Sequence, residues 1–377
     1  MPILNNMPNW MIKDSVIAVE IDGLTHDKWQ EYDIENSFET PADAFSMRIG
    51  IPDGTIVPLI NEGATCTVRI DGKLILTGFI DRIEHSLTKF NHSFSINGRD
   101  KGAILVDCDA EITSFVGLTL KESIEKIVNP LGIDKIEFKG KEDIAFDKTE
   151  LEPGMNAWEA VKRLVNSAGM HAWFKADGTL VVGEADYTTP PVAKLILNYS
   201  GHLNNVTELI MQQSAANRYS EVTFLGQSHG RKTDSAKHDL KYVHKDETAQ
   251  FEKKRTIILG NVENQKALEK AAKKWLADVQ LEGLTIRATV PGHYTDFGIL
   301  WENGQRVHLE SDVFGIDRVF FLISRRFQSS RSQGRITILE LKEDGVWLPD
   351  SPGASKARSR KGKKQKKELA VITPTKR

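Results

Sequence analysis

Few side chains in this sequence have the types and spacing to do chemistry. Asp107, Asp109 and Glu111 alternate, so an extended chain would set three carboxylates on one side, the arrangement a hard divalent cation wants. No EF-hand spacing and no carboxylate–histidine set accompanies them, and the expectation is a solvated strand edge. Glu142-Asp143 and Glu150 with Glu152 surround a loop and read as solvent-facing, with no pair singled out for acid–base work. His85 and His92 fall near one hairpin tip, and His229, His238 and His244 fall in a polar stretch. Zinc wants closer spacing than either group offers. Cys66 and Cys108 lie in neither metal nor redox spacing and read as reduced, structural thiols of a protein made in a cytoplasm. No nucleophile elbow, zinc-protease helix, phosphate loop or dinucleotide glycine motif is present. Trp158, Trp173, Trp275 and Trp301 sit in apolar periodic contexts and read as core. The expectation is no catalytic residue, no metal and no cofactor.

Charge is the other chemical feature. Ten Lys or Arg against one acid between 356 and 377 put that segment at +9, so the remainder carries −11 of a whole-chain −2. Lys356, Arg358, Arg360, Lys361, Lys363, Lys364, Lys366 and Lys367 could hold phosphates or an acidic protein face. The other reading is a disordered, solubilising terminus. No aromatics interleave with these cations, which argues against base stacking.

The elements that would position these residues are mostly short strands. Cys66 to Asp100 reads as three antiparallel strands. The first two are joined at Asp71-Gly72, a hairpin signal because both turn residues must accept positive φ. Gln305–Glu310, Ile316–Phe327 and Arg335–Leu341 repeat the strand order, and Ile316-Asp317-Arg318 echoes Ile80-Asp81-Arg82, so the expectation is a duplicated β-unit. Between the two, Thr119 with Glu122 forms a capping box ahead of an apolar face at Leu120, Ile124, Ile127 and Val128. Asn156 caps a second helix with Val161, Leu164 and Val165 on one face, and a hairpin follows across Ala176-Asp177-Gly178. Tyr219–Phe224 reads as a strand of the second β-unit, and Asn264–Leu281 as a helix in its company.

The fold class expected is α+β, mainly β: two similar barrel-like β domains with an inserted small α+β module. The boundaries are 1–105, 106–190 and 191–348, with an exposed mobile excursion at 228–254 and a basic disordered tail at 349–377. A chain of 377 residues with 40% hydrophobic and 27% charged residues is ordinary for a soluble protein of two to four domains. No run approaches the roughly 20 apolar residues of a membrane-spanning helix, and the N-terminus has no secretory signal pattern.

The order of these pieces resembles the baseplate hub proteins of Mu-like contractile phage tails, themselves similar to the T-even phage hub and the base of the VgrG spike. The most specific segments are Gly98-Arg99-Asp100 with Leu105-Val106-Asp107, the Trp158 helix with the Gly178 hairpin, and Val290-Pro291-Gly292 to Trp301. The resemblance spans about 15–348. It implies a non-enzymatic virion protein of the tail baseplate, assembled in the host cytoplasm as a homotrimer. Three chains with two barrels each would form a pseudo-sixfold ring between the tail tube and a threefold spike, with other baseplate proteins as partners and DNA passing transiently through a central channel. The acidic body would suit such a lumen by repelling phosphates. The alternatives are the same hub in a tailocin or type VI-like spike, and a peptidoglycan-acting hydrolase working through the α+β module.

Overall fold

The computed structural model describes residues 15–51, 60–111, 114–140, 145–226, 240–260, 262 and 264–346. Seven strands come first: β1 (Ile17–Ile21), β2 (Leu24–His26), β3 (Glu31–Ser37), β4 (Ala44–Gly50), β5 (Thr65–Ile70), β6 (Lys73–Leu87) and β7 (His92–Asp100). Asp71 and Gly72 take φ of 49° and 81°, the two positive values that this tight turn requires. Residues 56–59, an apolar stretch that reads as a further short strand, lie outside the described residues.

The insert comprises α1 (Gly102–Asp107), β8 (Ser114–Thr119), α2 (Leu120–Val128), β9 (Ile136–Phe138), β10 (Ala145–Glu150), α3 (Ala157–Ser167), β11 (His171–Phe174) and β12 (Leu180–Gly183). The capping box forms: the Thr119 hydroxyl accepts from Glu122 N, and the Glu122 carboxylate accepts from Thr119 N at 2.9 Å. Asn156 accepts from Glu159 N at 2.8 Å and starts α3. The apolar faces of α2 and α3 bury Ile124, Val128, Val161 and Leu164 against β11 and β12 in a core of their own.

The chain then forms β13 (Ala193–Ile196), β14 (Glu208–Gln213), β15 (Glu221–Gly226), β16 (Leu240–Lys245), β17 (Lys254–Leu259), α4 (Gln265–Gly283), β18 (Leu284–Pro291), β19 (Arg306–Ser311), β20 (Ile316–Ser330) and β21 (Gly334–Glu343). Among the described residues thirteen strands share one sheet, in the order β14-β18-β21-β20-β3-β4-β7-β6-β5-β1-β2, with β19 branching from β20 and carrying β13. The seam between the halves is the antiparallel pair β3–β20, from Ser37↔Ser324 to Tyr32↔Ser329. Inward residues of both halves, Ile34, Met47 and Ile96 with Val307, Phe327 and Leu339, join one core. The fold is mainly β with a small α+β insert. Among the described residues the pairing path is open at β14 and β2, so "barrel-like" here describes strand order and one-sided burial.

The two strand trios, β5–β6–β7 and β19–β20–β21, share a 15-residue middle strand. Each middle strand carries an irregularity against its successor, between Ile80 and Arg82 and between Leu322 and Ser324. Such a bulge bends a long strand. The Ile-Asp-Arg echo is not what aligns them. Ile80-Asp81-Arg82 spans the bulge of β6, whereas Ile316-Asp317-Arg318 opens β20.

Two expectations are corrected. β15 does not join the second β-unit: it pairs with β16 and β17 in a separate three-stranded sheet. That sheet packs Val222 and Phe224 against Leu268 and Ala272 of α4. The alternation of Tyr219–Phe224 foretells a half-buried strand but not which sheet receives it. The stretch 228–254 is not one excursion either. Residues 240–245 form β16 and Lys254 opens β17, because Leu240 and Tyr242 alternate with polar neighbours and reach the α4 core. Residues 227–239 lie outside the described residues, as do 347–377.

Candidate assembly site

The carboxylates singled out by spacing do not form a strand edge. Asp107 ends α1, Asp109 bridges to Asn156, and Glu111 is exposed. The useful partner is Arg99. Its Nε donates to Asp81 Oδ2 at 2.7 Å and its Nη2 to Asp107 Oδ2 at 2.7 Å. The Arg99 hydrogen bonds hold the Asp107 carboxyl below its usual range. Asp81 is the residue at the β6 bulge, so one guanidinium ties the bulge to the first helix of the insert. The group is about one-third exposed, so it orients the insert more than it stabilises it. Glu152 accepts from Arg163 at 2.9 Å. The His85 ring lies tilted against Phe94, centres 4.9 Å apart, and burial pushes the Cys66 thiol up to about 12. Trp301 is core, as expected, but Trp173 is only half-buried. Glu142, Asp143, His229, His238 and the cations Lys356 to Lys367 lie outside the described residues.

A buried polar strut crosses between the two β-units. His293 Nδ1 is 3.1 Å from Thr337 Oγ1, which donates its own proton to Gly292 O. Thr337 must therefore accept from Nδ1–H, which leaves Nε2 to accept from the Tyr32 hydroxyl at 2.6 Å. Burial, with Arg335 and Arg325 nearby, lowers the His293 pKa to about 3. Below pH ~6.5 the unfolded chain takes a proton that the folded imidazole refuses, so this residue removes stability as pH falls from about 6.5 to 3. The buried Asp100, raised to about 7, acts in the opposite sense, because its folded carboxyl takes a proton first. Comparison with His293→Gln isolates the histidine. The stability advantage of the wild type over this variant should shrink by about 2 kcal/mol between pH 7 and pH 5 in urea titrations. A constant difference would mean that His293 titrates alike in both states.

Exposed apolar side chains mark the surfaces an assembly protein would use. Three loops meet beside β13. Tyr199 N donates to Asp312 Oδ1 at 2.8 Å, Asp312 N donates to Asn198 Oδ1 at 2.9 Å, and Asn205 Nδ2 donates to Asp296 Oδ2 at 3.0 Å. They carry Tyr199, 92% exposed, with Leu203, Phe297 and Val313 also in solvent. At the β6–β7 tip Phe90 is 89% exposed, beside Leu87. Large apolar groups concentrated in loops mark contact surfaces rather than random exposure. Among the described residues no helix is long and apolar enough to cross a membrane.

Known proteins match this architecture segment by segment. Residues 16–100 match the family model of the Mu phage baseplate assembly protein GpP-like N-terminal domain, and 102–184 that of the baseplate hub protein gp44-like second domain. Residues 218–276 match the tail protein NMB1110-like third domain, and 278–346 a tail protein C-terminal domain. The crystal structure of the tail protein from Neisseria meningitidis MC58 is 42% identical, covers 90% of this chain and 99% of its own, and superposes with a TM-score of 0.81. The chain belongs to the Mu-like baseplate hub and tail protein family. Baseplate hub protein gp44 of Escherichia phage Mu is 24% identical over 82% of this chain and 83% of its own length. The 43 kDa tail protein of prophage MuSo2 from Shewanella oneidensis is 22% identical and shares the fold, with a TM-score of 0.76 over 88% of this chain and 99% of its own. As a hub-family protein the chain is a virion component of the tail baseplate. The separate sheet packed on α4 coincides with the third matched segment.

Proposed function

We propose that this protein is a structural, non-enzymatic hub that assembles as a homotrimer and adapts a sixfold tail tube to a threefold spike around a central channel. The observation that carries the reading is the pair of similar strand trios joined through β3–β20 in one chain. Three such chains present six similar units, the condition for matching threefold to sixfold symmetry. Spike, tube and other baseplate proteins are the partners, and the exposed loops around Tyr199 and Phe297 offer contact surface. Acidic residues facing the channel would repel passing DNA, and the cations at 356–367 are available for phosphate or an acidic partner face. Light scattering with negative-stain imaging of the full chain tests this. The expected particle has three times the 42.2 kDa chain mass and a ring outline with sixfold modulation. A stable dimer or tetramer without a ring rejects it.

A further inference from the structure

The first β-unit, the insert and the second β-unit enclose a cleft of about 650 Å³, a size typical of ligand-binding clefts, which favour domain junctions. One wall is aromatic: Trp173 meets Phe38 edge-on at 5.1 Å, and Phe38 stacks on Phe321 at 6.0 Å. Arg325, from β20, and Asn303, from the loop before β19, also line the cleft.

Both side chains keep polar atoms that the fold does not pair. Arg325 is only 3% exposed, yet its Nε and Nη1 have no hydrogen-bond partner in the protein, and neither do Nδ2 and Oδ1 of Asn303. Asp43 and, less strongly, Glu302 attract the guanidinium without hydrogen-bonding to its Nε or Nη1. The Asp43 oxygens are committed elsewhere, Oδ1 accepting from Ser37 N at 2.8 Å and Oδ2 from the Asn36 amide. Burial, with Asp100 beside it, raises the Asp43 carboxyl well above its ordinary range, while the Arg325 charge opposes that shift. A buried guanidinium without a hydrogen-bonded anion is strongly unfavourable. Here the cation is nonetheless held in place, its guanidinium carbon 4.1 Å from the Phe327 ring centre and its strand paired to β3 opposite Asn36. Free donors fixed at the end of an aromatic-walled cleft are the recognition elements for a carboxylate.

We propose that this cleft binds a carboxylate carried on an apolar or aromatic body, the carboxylate taken by Arg325 and Asn303 and the body lying against Phe38 and Trp173. The carboxylate can come from an acidic side chain of another polypeptide or from a small molecule, and the test separates the two. Calorimetry on the full chain would use benzoate with benzamide as its neutral counterpart. In parallel it would use the blocked peptide Gly-Phe-Glu-Gly with its glutamine counterpart. At least one carboxylate probe should bind saturably and at least about tenfold more tightly than its neutral counterpart. Arg325→Met should remove that preference. Asn303→Asp, which sets a negative charge in the same place on the loop before β19, should remove it as well. Binding of the peptide alone assigns a polypeptide ligand, and binding of benzoate alone a small carboxylate. Absence of any preference, or a preference unchanged in folded Asn303→Asp, overturns the proposal.

Discussion

Gly78→Ala should destabilise the first β-unit by about 4 kcal/mol, at the high end for overpacking. An alanine Cβ at this position would overlap the carbonyl oxygen of Arg99 and lie 2.7 Å from the Cα of Asp100. Both are backbone atoms of β7, so no side chain can swing aside. Gly78 is paired on both sides, to Asp100 of β7 and to Cys66 of β5, and the new methyl would push β6 from its neighbour. The displacement would spread, because Asp100 N donates to Asp43 O and Lys101 N to Thr77 O at the entry to the insert. Gly50→Ala is the control. Its Cβ would meet only the end of the Gln30 side chain at 3.2 Å, and a change within roughly 1 kcal/mol is expected. Thermal unfolding of the two variants gives the comparison, and a Gly78→Ala midpoint equal to that of Gly50→Ala would mean that β6 and β7 can part without cost.

Local features of this fold were readable because local chemistry sets them. Asp71-Gly72 had to turn, Thr119 with Glu122 and Asn156 with Glu159 had to start helices, and the β7 alternation had to bury Phe94 and Ile96. Pairing across the chain was not readable. β13 lies parallel to β19, and β3 finds β20 nearly 300 positions away, as in the Arg326–Asp33 hydrogen bonds with a separation of 293. Period-two patterning names a strand's inward face and not its neighbour, so β15 was assigned to the wrong sheet. The cleft was hidden for the same reason, since its walls come from three units. One signal was present. Beyond the bulge, buried Arg325 and Phe327 alternate with Ser324 and exposed Arg326 on β20, and an arginine at such an inward position marks a buried cation. Arg99, by contrast, could not be read as the partner of Asp107 until the β6 bulge placed Asp81 beside both.

The second large effect lies at the seam. Phe327 is fully buried on β20, paired to Ile34 of β3 and Thr337 of β21. Its ring lies 4.7 Å from that of His293 and under the Arg325 guanidinium. Phe327→Ala therefore removes apolar contact from both halves at once and uncovers two polar groups that depend on it. A core Phe→Ala change costs about 3–5 kcal/mol, and the loss of the cation–π contact adds to it. Phe327→Leu keeps most of the volume and should cost far less. The response should also be local. Hydrogen exchange should quicken in β3 and along β20 from 324 to 329, while β15–β17 and α4, which have their own core, keep their wild-type rates. Uniform quickening would mean that the seam and the α4 unit unfold as one body, and unchanged rates in β3 would mean that the halves are held together by something other than this ring. Because the ring also shields His293, any water admitted by the truncation should raise the imidazole pKa from about 3 toward its ordinary value. The variant should then lose less of its remaining stability to this histidine on acidification than the wild type does, so a seam weaker at pH 7 would be less sensitive to acid at that one group.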